Sequence, residues 1–135
     1  MAADLPLPDA VRGIIADSAF TSPHAIWQHV AQKNLHIPFA LGGMIADRIC
    51  RRRLSMGSGD CSTLNALSAT SKPVLLIHGE DGHFVPVRMA YENRDACQAP
   101  CQLLIVPGAD HAMSYYADRQ KYEKALRRFW SAYDA

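Results

Sequence analysis

Two stretches of this 135-residue chain constrain its fold more than any others: Pro73-Val74-Leu75-Leu76-Ile77-His78-Gly79 and Gln102-Leu103-Leu104-Ile105-Val106-Pro107-Gly108. Each is an unbroken apolar run closed by glycine. A strand wet on one face alternates polar and apolar residues, so an unbroken run marks a strand covered on both faces, as in a parallel sheet. Val11 to Ala16 is a third strand candidate, short and β-branched, ending at Asp17-Ser18. Parallel strands need long crossovers, and helical patterns fill the gaps between the runs. Ser22 is placed to cap a helix with Pro23 in its first turn, and Ala25, Ile26, His29 and Val30 follow at helical spacing. Pro38 interrupts that pattern, and Phe39 to Arg53 forms a second one, whose closing Arg51-Arg52-Arg53 complements a helix dipole. Met56 to Asp60 reads as loop, and a further helix is expected from Pro86 to Cys97. Residues 118–133 carry Tyr122, Ala125, Leu126, Phe129 and Trp130 on one face of a last helix. The order strand, helices, strand, helix, strand, helix predicts an α/β fold, a three-layer sandwich around a parallel sheet.

The length fits one compact domain with a folded surface of roughly 7,000 Å². With 14 Lys and Arg against 13 Asp and Glu, the net charge of +1 argues against a basic nucleic-acid surface. No stretch reaches the roughly 20 apolar residues that span a bilayer. The start, Met1-Ala2-Ala3-Asp4-Leu5-Pro6, lacks a basic region followed by an apolar run. Cys50, Cys61, Cys97 and Cys101 include no C-x-x-C pair and read as reduced thiols. The expected compartment is the cytoplasm, with no nucleic-acid or membrane partner and no cofactor.

In open α/β sheets the chemistry gathers in the loops after the strand carboxyl ends. Here those loops are Asp17-Ser18, then His78-Gly79-Glu80-Asp81-Gly82-His83, then Gly108-Ala109-Asp110-His111. One βαβ unit separates the last two, so an acid and a histidine can meet across neighbouring strands. That pairing is the base half of a nucleophile–histidine–acid triad. A metal site at His78, Glu80, Asp81 and His83 is a weaker alternative, because a tight loop rarely converges four ligands. Tyr115 and Tyr116 either line a pocket or anchor their loop to the last helix.

The chain resembles the α/β-hydrolase superfamily, and within it bacterial serine esterases and S33-peptidase-like hydrolases. The resemblance rests on Ile14 to Ser22, on Pro73 to Gly79 with Phe84-Val85-Pro86, and on Val106 to Ala112. It covers essentially the whole chain but only the C-terminal half of the family's domain. It implies that the strands are the sixth, seventh and eighth of that sheet. Residues 1–135 are then a single partial domain, in which 23–71 form a cap-like helical insertion and its return helix. It also implies that His111 is the catalytic histidine. The family's pattern H-G-x-x-D-x-x-V-P puts the triad acid where this sequence has Gly82. Asp81, one position earlier, and Asp17, at the end of the preceding strand, are the two substitutes.

The family's G-x-S-x-G nucleophile turn occurs nowhere in the sequence. Arg53-Leu54-Ser55-Met56-Gly57 keeps only its trailing half, and Ser55 follows a helical, arginine-rich stretch instead of an apolar strand. Met1-Ala2-Ala3 would match the tail of the helix that follows the missing turn. The expectation is therefore a C-terminal fragment of a hydrolase of carboxylic esters or small amides, inactive alone. The competing expectation is a non-catalytic interaction or dimerisation module that pairs through the exposed edge of its first strand.

Overall fold

β2 (Val74–Gly79) is buried at every position, the condition that its unbroken apolar run predicts. It lies between β1 (Ile14–Asp17) and β3 (Cys101–Val106), parallel to both, in the order β1-β2-β3. The structure, a computed structural model, describes residues 7–33 and 39–133, without the side chains of Phe39 and Leu41. The expected break at Pro38 and the helix tail at Met1-Ala2-Ala3 lie outside the described residues. β1 begins at Ile14 and not at Val11, because the Val11 N–H donates back to the Pro8 carbonyl (2.9 Å) in a turn.

Successive β2 side chains point to opposite faces, and each face has its own helices. Val74 and Leu76 pack with Leu67 of α3 (Thr63–Ala69), and Cys97 and Cys101 lie against that cluster. Leu75 and Ile77 pack on Phe129, with Tyr122 and Leu126, all from α6 (Arg119–Tyr133). α4 (Val87–Ala96) crosses from β2 to β3, and Cys97 caps its end. These are the three expected layers. α3 was placed only through the family resemblance; its own sequence is too short to declare a helix, and Ser62 starts it by accepting from the Asn65 N–H (3.2 Å). Burial, reinforced by the neighbouring Cys97, pushes the Cys101 thiol up to about 12.

α1 (Pro23–Lys33) and α2 (Phe39–Leu54) are the two helices expected from Pro23 and from Phe39. Ile26 of α1 packs on Val85 and Met89, which ties α1 to α4. α2 places no described side chain in the core, and Met44 is 72% exposed. Its arginines do more than complement a dipole. Arg51 pairs with Asp47 (2.8 Å) and Asp60 (3.2 Å), and Asp47 accepts from both the N–H and the hydroxyl of Ser58. Ser55, with φ 57, is exposed in the left-handed turn after α2, so it follows a helix and not a strand.

The Ile14 and Ser18 N–H groups donate to the Pro73 and Ile77 carbonyls of the β2 side. The alternate residues Ile15 and Asp17 therefore direct their backbone groups to the open edge of β1. The chain exposes 8375 Å² of surface, above the roughly 7,000 Å² of a compact chain of its mass. Among the described residues no helix is long and apolar enough to cross a membrane.

Candidate functional site

All three strands end on the same side, and their following loops meet there. Gly79 closes β2, and a Cβ on it would run into the backbone carbonyls of Ala109 and Asp110. Only glycine lets the β2 and β3 loops approach this closely. The contact is fastened by the Glu80 N–H donating to the Val106 carbonyl (2.9 Å) and the Asp81 N–H donating to the Ala109 carbonyl (3.0 Å). Gly108, with φ 70, turns the chain out of β3 toward His111.

His111 is half-buried, and its Nδ1 is buried without a hydrogen-bond partner among the described residues. Its ring lies 5.3 Å from that of Phe84, centroid to centroid. Neither substitute acid reaches it. The Asp81 carboxylate is exposed and makes no hydrogen bond among the described residues. Asp17 is occupied elsewhere: the Ser18 hydroxyl donates to Oδ1 (3.0 Å) and the Tyr122 hydroxyl to Oδ2 (3.0 Å). Burial first, then the facing Asp17 carboxylate, raise the Tyr122 phenol.

The acid–histidine pair that forms across the two loops is a different one. Asp110 Oδ1 accepts from the His111 N–H (2.7 Å) and the His83 N–H (3.0 Å), and it stands 3.4 Å from His83 Nδ1. Those two backbone donors, His83 first, hold the Asp110 carboxyl below its ordinary range. The sequence put acids and histidines in both loops, but spacing alone does not say which member of a turn faces inward.

Gly82 occupies the acid position for a steric reason. A Cβ there would stand 2.6 Å from the Val85 carbonyl oxygen. That oxygen is itself fixed, because His78 Nε2 donates to it at 2.9 Å. His78 is thus buried and committed to holding the loop. Among the described residues no three His, Cys, Asp or Glu side chains converge as metal ligands.

Sequence reasoning assigned no role to Ser18. It is buried, adopts φ 57, and accepts from the Ala112 N–H (3.1 Å), while Ala112 itself has φ 59. Two non-glycine residues in the left-handed region thus tie the β1 loop to the residue after His111, and each stores about 1–3 kcal/mol of backbone strain. Tyr115 is an anchor, meeting Tyr122 edge-on at 5.4 Å with its hydroxyl donating to Glu123 (3.4 Å).

A cavity of about 460 Å³ opens beside the loops, between α1 and α2, and Phe84 forms part of its wall. The same ring thus neighbours His111 and belongs to the cavity wall.

No family model matches the chain. It is 32% identical over 85 residues to the uncharacterised protein YqkD of Bacillus subtilis (strain 168), across 63% of this chain and 28% of that protein. Among solved structures it is similar to the esterase PF2001 of Pyrococcus furiosus (TM-score 0.61, 18% identity, 88% of this chain and 44% of that one). It is also similar to the esterase domain of a Rhodothermus marinus protein (TM-score 0.61, 17% identity, 99% and 54%). A third likeness is to Rv0554 of Mycobacterium tuberculosis (TM-score 0.63, 18% identity, 99% and 62%). The chain therefore spans from less than a third to under two thirds of the proteins it matches.

Proposed function

We propose, from the premise that the chain has the fold of the C-terminal part of an α/β hydrolase, that it supplies the histidine half of a serine hydrolase acting on carboxylic esters or small amides. The serine would come from a segment outside this sequence. The observation that carries the reading is His111: a ring at the mouth of a parallel sheet with a buried, unpartnered Nδ1. Such a nitrogen is costly unless an acceptor meets it in the working state.

In this reading His111 Nε2 takes the serine proton as the serine oxygen bonds to the carbonyl carbon. The proton then passes to the leaving alcohol or amine as its bond to that carbon breaks. Water repeats the sequence on the acyl intermediate and releases the acid. Asp81 is the acid of choice, because its carboxylate is unbound and the carboxylate of Asp17 is taken by Ser18 and Tyr122. Gly82 leaves that role open, since it brings no carboxylate of its own.

The 135-residue chain alone should leave p-nitrophenyl butyrate unhydrolysed and take no label from a fluorophosphonate. Joined to an N-terminal segment that carries a strand, a G-x-S-x-G turn and a helix, the chain should gain hydrolysis, and His111→Ala should remove it. Phosphonate-sensitive turnover by the chain alone would overturn the half-site reading.

A second reading, self-association through the β1 edge, is favoured by the outward backbone groups of that strand beside the exposed Ile15 and Trp130. It predicts a dimer that Ile15→Lys dissociates. A monodisperse monomer in sedimentation excludes it.

A further inference from the structure

Phe20, Ile26, Trp27, Val30, Ala46 and Phe84 line most of the 460 Å³ cavity between α1 and α2, and no ionisable side chain is among its described lining residues. The volume lies within the roughly 300–1,000 Å³ of small-molecule sites, whose walls are mostly apolar with few polar groups. Beyond Phe84 of this wall stands a polar group, His111, whose ring is 5.3 Å from that of Phe84. An elongated ligand with a polar head and a hydrocarbon tail matches that division. A charged tail would be buried without a partner, which proteins avoid.

From this arrangement we infer that the cavity holds an unbranched hydrocarbon arm of the substrate, its carbonyl end at His111, and that Gly42 and Ala46 of α2 set the length it accepts. Both residues line the cavity, and both are small where the helix would tolerate larger side chains. A Cβ at Gly42 would meet nothing within 4 Å, so open space lies in front of it. Large side chains at the two positions would occupy the room that the arm needs. That the arm belongs to a substrate rests on the hydrolase reading; that the cavity binds it does not.

The chain reports on the cavity by itself, because one of its two tryptophans, Trp27, is in the wall. The other, Trp130, is on α6 against the opposite side of the sheet and is replaced by phenylalanine for the measurement. Straight-chain alcohols from hexanol to decanol, below their aggregation limits, should shift the Trp27 emission to the blue and saturate. Each added methylene should tighten binding by about fourfold until the cavity is full. Ala46→Phe and Gly42→Leu should each weaken decanol at least tenfold. Two variants are used because leucine favours a helix over glycine, so Gly42→Leu folds if Ala46→Phe does not.

An unsaturable emission change, or equal binding in both variants, would overturn the inference. So would affinity that ignores chain length. Saturable, length-dependent binding with no hydrolysis by the longer polypeptide would keep the site and discard the reaction. Hydrolysis without such binding would discard the site alone.

Discussion

The sheet with α3, α4 and α6 and the pair α1–α2 are built from equally apolar sequence but hold it differently. Ile77 and Leu75 of β2 are each 1% exposed, whereas Met44 and Ile45 of α2 are 72% and 62% exposed. One region is fixed by hydrophobic burial on both faces of β2, with the half-covered β1 and β3 on either side of it. The other is fixed by Ile26 against Val85 and Met89, by His29 against the His83 carbonyl, and by the polar clasp of Asp47, Arg51, Ser58 and Asp60. The loops that bear His111 and the cavity that Phe84 joins to them lie where these two regions meet. Chemistry there would be held by the rigid body, while the ligand arm would be held by the looser one.

The largest effect should separate the regions outright. Phe129→Ala removes a ring that is 2% exposed between α6 and β2, and should cost about 3–5 kcal/mol of stability. Met44→Ala removes a side chain of similar bulk from α2 and should stay within about 0.5 kcal/mol. Urea unfolding of the two variants measures both. Comparable losses would mean that α2 is packed against a partner surface in solution, and the contrast would fall.

The next effect tests how tightly the rigid body reaches into the site. Gly82→Asp rebuilds the family's acid position in sequence, but its Cβ meets a Val85 carbonyl already held by His78. Overpacking of this kind should cost about 1–3 kcal/mol. A smaller loss, with the new carboxylate seen at His111 by NMR, would show that the loop shifts easily.

The fold was largely legible because burial on both faces leaves a mark in the sequence. The β2 and β3 runs and the amphipathic face of α6 could be read directly. α3 could not, since seven residues carry too little periodicity. In the site, the position of His111 followed from its loop and from the family resemblance. The Asp110–His83 pair and the contact of Ser18 with Ala112 did not. They depend on backbone angles at non-glycine residues and on which of two adjacent turn residues points inward. Neither property has a composition signal.

Acid should separate the regions in a third way. Hydrogen bonds from the Ser58 N–H, then from Arg51 and the Ser58 hydroxyl, hold the Asp47 carboxyl below its ordinary value of 3.8. A lowered folded value means that the clasp stabilises above about pH 3.8, and that this contribution fades as pH falls through the lower folded value. Amide exchange near Ser58 should therefore rise on acidification before exchange in β2 does. In Asp47→Asn it should be fast at every pH. Simultaneous loss in both regions would mean that the clasp adds nothing of its own.

The smallest effect lies between the regions, at Asp110. Its carboxyl is likewise held below 3.8, here by the His83 and His111 N–H groups. The same sign applies: the latch contributes fully above about pH 3.8 and opens as pH falls through the lower folded value. The side chain is 57% exposed, so Asp110→Asn should leave the unfolding midpoint nearly unchanged. What should change is local, because an amide oxygen accepts more weakly than a carboxylate. The His83 and His111 amides should exchange faster with solvent, while those of Leu75 and Ile77 keep their protection. His83 is tied to α1 through its carbonyl, which accepts from His29 Nε2 at 3.2 Å. Loosening the latch should therefore spread toward α1 and not into the sheet. Faster exchange in β2 instead would place Asp110 within the rigid body and move the boundary between the two regions past the site.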